Sequence, residues 1–134
     1  MKTALLWVLR ITAVVMIANG IWMMSAAFNW FFHIPAGLPD TGHPNGHLIR
    51  DVGLAYLIFG GALWWCCRDL AQRRAVFLCV AAFMVGHAAD HLGELAVGAL
   101  PPSHWLLDFP LVLAPGFLFA ALVFPVVWRR LVET

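Results

Sequence analysis

The sequence predicts an all-α protein, a four-helix bundle integral to a membrane and built as a single transmembrane domain over residues 1–134. Three observations predict it. The chain is 63% hydrophobic and only 11% charged, where a soluble domain carries about 25% charged residues. Its apolar residues gather in four stretches, each long enough for the roughly 20 helical residues that cross a hydrocarbon core. Within them the apolar runs are continuous, without the alternation of a membrane β-barrel. A net charge of +1 with no basic stripe gives no support to nucleic-acid binding.

The first span covers about residues 3–32 and carries Arg10, whose long stem can snorkel to the surface. A cleaved secretory signal is the alternative for this segment, with Ser25, Ala26 and Ala27 near a cut. Its length and its interruption by Arg10 favour a retained helix. The loop from His33 to Gly46 follows. Pro35, Gly37, Pro39, Gly42 and Pro44 make it irregular, and it is long enough for a lid or binding loop. The second span covers residues 47–67. The short loop from Arg68 to Arg74 makes it an antiparallel neighbour of the third, residues 75–100. Pro101 and Pro102 turn the chain into the fourth span, residues 105–128. There Pro110, Pro115 and Pro125 each remove a backbone donor and kink the helix, which opens its outer half around a ligand.

Lys and Arg set the orientation. Lys2 and Arg10 lie at the start, Arg68, Arg73 and Arg74 in the second loop, Arg129 and Arg130 after the last span. Both termini and the second loop are therefore expected to be cytoplasmic in a bacterial inner membrane, with the first and third loops periplasmic. Trp7, Trp64, Trp65 and Trp128 would mark the inner interface, Trp30 and Trp105 the outer. Cys66, Cys67 and Cys79 fall in the cytoplasmic half, where thiols stay reduced. They read as packing or lipid-facing residues, with palmitoylation of the Cys66–Cys67 pair as an alternative.

The orientation puts His33, His43, His47, His87, His91 and His104 on the outer side, with Asp40, Asp51, Asp90, Glu94 and Asp108. Ionisable groups near hydrocarbon are costly, so such a cluster points to function. The third span reads His87-Ala-Ala-Asp90-His91-Leu-Gly-Glu94. At about 100° per residue, His87, Asp90, His91 and Glu94 share one broad stripe. His87-x-x-x-His91 is the spacing by which two imidazoles on a helix reach one ion, but it lacks the glutamate of a His-Glu-x-x-His protease. The second and fourth spans repeat the interval as His47-x-x-x-Asp51 and His104-x-x-x-Asp108, and the first adds Asn29-x-x-x-His33. Chain direction predicts two layers, Asp51, His87 and Asp108 below His47, His91 and His104.

The expected site is therefore a metal centre of His47, Asp51, His87, His91, Glu94, His104 and Asp108. Mixed nitrogen and oxygen ligands suit zinc or iron first, copper or manganese next. Asp90 and Glu94 are the candidate general bases for a metal-dependent hydrolase or oxidoreductase acting on an apolar, lipid-like substrate. Other readings of the same residues stay open: a metal-free polar or proton-relay network, bis-His haem through His47 with His87 or His91, metal transport, or an accessory subunit docking a membrane partner or a second copy of itself. His43 reads as a loop residue and Asp40 as a turn residue. Met16, Met23 and Met24 read as packing.

The start of the second span, His47-Leu-Ile-Arg50-Asp51-Val-Gly53-Leu-Ala-Tyr56-Leu followed by Gly60-Gly61, resembles small uncharacterised four-span bacterial inner-membrane proteins. The resemblance implies the four-span fold and no activity. A looser likeness is to zinc-dependent membrane amide hydrolases of the alkaline ceramidase type, which use a His-x-x-x-His pair, another His and an aspartate. His87, His91, His47 and Asp51 stand in comparable roles. Those enzymes have seven spans, so the likeness is one of chemistry alone.

Overall fold

The computed structural model describes residues 2–132. Among them all regular structure is helical: α1 (Lys2–Ser25), α2 (Ala27–His33), a 3₁₀ turn (Leu38–Thr41), α3 (Gly46–Cys66), α4 (Arg74–Ala96), α5 (His104–Leu107), a π turn (Phe109–Leu113), α6 (Ala114–Val123) and α7 (Pro125–Val132). Three helices, Thr3–Ser25, Gly46–Cys66 and Arg74–Ala96, are long and apolar enough to cross a membrane. The Lys2 side chain, counted above among the inner basic groups, lies outside the described residues.

The fourth apolar stretch differs from the continuous helix expected over residues 105–128. Pro110 cannot donate a backbone hydrogen bond, and the chain widens into the π turn, where Val112 and Leu113 both donate to the Asp108 carbonyl. Phe124 then turns extended, with ψ 131°, because a residue before proline is pushed out of the helical region. The longest apolar piece left is Phe109–Val123.

The first stretch also divides. Ala26, at φ −145° and ψ 58°, separates α1 from α2. Indole donors bridge the break: Trp22 Nε1 donates to Asn29 at 2.9 Å and Trp30 Nε1 to Asn19 at 2.7 Å. The second bond draws Trp30 inward, so it is buried and not an interfacial marker. The third stretch stops at Ala96, short of residue 100. Gly98 takes φ 73°, its N–H bonds the Leu95 carbonyl, and that of Ala99 bonds Glu94. That pair of bonds is a Schellman cap, which glycine alone enters without strain.

Packing follows glycine. A Cβ on Gly20 would stand 2.6 Å from the Gly53 carbonyl, and one on Gly60 would stand 2.9 Å from Ile17. Their bare backbones let α1 and α3 lie antiparallel in close contact, the small-residue packing that membrane helices use. Gly116 of α6 meets Ala88 of α4 in the same way. The helices follow one another around the bundle, α1 on α3, α3 on α4, α4 on α6, and no comparable packing joins α1 to α6. At the basic end the seam is closed by one cluster that includes Leu9, Ala13, Phe77, Phe119 and Leu122. Trp128 belongs to it, buried against Phe77 with ring centroids 4.9 Å apart. Cys66 and Cys67 are buried there too, out of reach of an acylating group.

Candidate functional site

At the opposite end the bundle opens around a buried carboxylate. Asp108 follows α5, whose hydrogen bond from Asp108 N–H to the His104 carbonyl starts the turn. The i, i+4 interval sets His104 and Asp108 side by side on that turn. Both are shut off from solvent, at 1% and 0% exposure. Asp108 Oδ2 stands 2.9 Å from His91 Nδ1 on α4 and 3.2 Å from His104 Nδ1. A carboxylate can accept from the Nδ1–H of both rings, an arrangement that orients them and leaves their Nε2 atoms for other work.

The Nε2 of His104 is buried without a hydrogen-bond partner. The nearest carboxylate is Asp40, with Oδ2 3.4 Å away. Asp40 comes from the 3₁₀ turn of the first loop, which Gly37 enters at φ 62°. A Cβ on Gly37 would lie 3.0 Å from that Nε2, so glycine serves both the turn and the close approach. The long loop thus folds over the cluster from outside. On the inner side His87 stands edge-on to His91, centroids 4.8 Å apart, and Tyr56 stands edge-on to His87 at 6.0 Å.

His87, His91 and Asp108 form part of the wall of a cavity of about 310 Å³. Its other walls are apolar for the most part, from α1 (Ile11, Val15, Met16), α3 (Val52, Tyr56) and the fourth stretch (Pro110, Leu111, Pro115). Asn19 and Trp30 add their hydrogen-bonded pair. Ile11, Val15 and Leu111 are also exposed on the outer surface of the bundle, so the cavity opens sideways through the seam that α1 and α6 leave.

Several sequence-derived ligands do not join this cluster. His47 and Asp51 pair with each other, Nε2 to Oδ2 at 3.4 Å, with side chains 88% and 60% exposed. The reason is helical phase: Ile49 and Gly53 face the bundle, and residues two positions away point about 200° round the helix. The shared upper layer of His47, His91 and His104 is therefore not formed. Asp90 is exposed, two positions from buried Ala88. Glu94 is half-buried, and neither carboxylate lines the cavity. His33 Nδ1 bonds its own helix at the Asn29 carbonyl, and His43 is exposed. Among the described residues no three His, Cys, Asp or Glu side chains are grouped so as to hold a metal ion.

Asp40, Asn19, Trp30 and Tyr56 were not expected at the site. Asn19 was the one legible signal, a lone amide in an apolar span. The class these observations fit is an all-helical membrane protein with a polar cluster at the head of an apolar cavity. Comparison with protein-family models, curated proteins and solved structures finds no match.

Proposed function

We propose that this chain is a four-span protein of a bacterial inner membrane that takes a lipid-like molecule from the bilayer and presents it to the His91–Asp108 pair. The broken stretch from His104 to Val132 acts as the fourth span, and the basic end with both termini lies in the cytoplasm. The observation that carries the reading is the cavity itself: apolar, open through a lateral seam, and ending on the half-buried imidazoles of His87 and His91 and the buried Asp108 carboxylate. Ligand sites commonly combine an apolar lining with a few convergent polar groups. Asp108 holds the His91 ring in one orientation, which readies its Nε2 to accept or donate a proton at the head of a bound molecule. The reading assigns acid–base work to His91 and Asp108, in preference to Asp90 and Glu94.

A metal centre is the second reading, favoured by His87 and His91. Their ring separation of 4.8 Å is close to the ~5 Å of two imidazoles binding one ion through bonds of ~2 Å. Asp108 would fix the His91 ring from behind, as carboxylates behind metal-ligating histidines do. Zinc or iron, then copper or manganese, suit such donors. A bound ion would supply an activated water or a polarised carbonyl.

The test is purification in mild detergent with the affinity tag removed, followed by native mass spectrometry and elemental analysis. Wild-type protein is expected to retain a lipid-like molecule, and His91→Ala with Asp108→Asn to lose it. Protein free of both lipid and metal, and unchanged by those substitutions, would sink the proposal.

A further inference from the structure

The residues around the cavity also restrict the head group it takes, an inference that rests on the lipid-binding reading above. Among the described residues no lysine or arginine lines it; its ionisable members are Tyr56, His87, His91 and Asp108. The chain's arginines lie elsewhere: Arg10, Arg73 and Arg74 stack on Trp7, Trp65 and Trp128 at the basic end, and Arg50, Arg68, Arg129 and Arg130 are exposed. A phosphate head would carry one or two negative charges towards a buried carboxylate with no guanidinium or ammonium to receive it. Phosphate recognition rests on such groups or on helix N-termini. The helix that carries His104, α5, is a single turn of four residues, too short to provide an anion-binding N-terminus.

What the wall does offer is hydrogen bonding without fixed positive charge. Imidazole nitrogens, the Asn19 amide and the Tyr56 hydroxyl donate and accept to a neutral oxygen. We infer that the occupant is a neutral-headed lipid, a long-chain alcohol or carbonyl compound. Its oxygen lies at His91 and Asp108, and its tail leaves past Val15 and Leu111 into the bilayer.

A matched pair of probes separates charge from tail: a fifteen-carbon prenol and its phosphate monoester, offered to the full chain in phosphatidylcholine nanodiscs. Binding is read by native mass spectrometry and by displacement of a fluorescent prenol analogue. The prenol is expected to bind at least tenfold more tightly than the phosphate. Val15→Trp, at the exposed mouth, is expected to weaken the prenol tenfold or more while leaving the helical content unchanged. Equal binding of the two probes, or preference for the phosphate, overturns the neutral-head inference and leaves the lipid cavity standing. If neither probe binds, or if Val15→Trp changes nothing, the cavity reading itself falls.

Discussion

Asp108 and His91 stand 17 positions apart in sequence, yet Oδ2 of one lies 2.9 Å from Nδ1 of the other. The bond ties α4 to the start of the fourth stretch at the open end of the bundle. It works beside a small apolar cluster of Ala88, Leu92, Val112 and Leu113 that packs the same two elements together. Asp108→Ala leaves the Nδ1 atoms of His91 and His104 without their acceptor, and should cost about 1–3 kcal/mol for each buried donor left unpaired. Asp108→Asn keeps one acceptor oxygen and should cost about 1–3 kcal/mol. Unfolding of the purified protein by added SDS measures both. Identical midpoints for the three proteins would deny the pairing.

His47 and His91 should behave oppositely. His47 is exposed, so His47→Ala should change stability by no more than about 0.5 kcal/mol and leave bound lipid or metal untouched. If an ion is held by His87 and His91, Asp108→Asn should weaken it by about 10–100-fold through loss of ring orientation. Isothermal titration with zinc reads the affinity. Loss of binding in His47→Ala alone would restore the layer expected from the sequence.

Glycine positions give a contrast on one scaffold. Gly20→Val must push a side chain into the Gly53 carbonyl, and overpacking of that kind costs about 1–3 kcal/mol. Gly61 has nothing within 4 Å of its missing Cβ, so Gly61→Ala should be neutral or stabilise by up to about 1 kcal/mol through helix propensity. The two unfolding midpoints should fall on opposite sides of wild type or nearly so.

Asp40 holds the first loop against His104 at 3.4 Å. Half-exposed pairs of this kind contribute about 1 kcal/mol or less, so Asp40→Asn should open the loop up to about fivefold more often. Hydrogen exchange of the amides between His33 and Gly46 is the measurement. An unchanged exchange rate would mean that Gly37 packing alone fixes the loop.

Reporter fusions test the orientation. Alkaline phosphatase placed after Gly42 should be active and one placed at the C-terminus inactive, with the reverse for a cytoplasmic fluorescent reporter. Activity at both positions would remove the fourth span.

Composition and apolar run length were enough for the helical class and for the three long helices, because hydrocarbon admits few other ways to satisfy a backbone. The i, i+4 intervals were also legible, and the structure sets His104 beside Asp108 and His87 beside His91. Phase was not. The four-residue interval of His47 and Asp51 equals that of His104 and Asp108, but Gly53 and Gly60 must face α1 and so turn the first pair outward. Local spacing says which residues share a face; contact with a neighbouring helix decides whether that face looks inward. The break at Ala26, the Trp30–Asn19 bond and the fold of Asp40 over His104 likewise depend on partners distant in sequence. Only tertiary packing could place them, and with them the cavity.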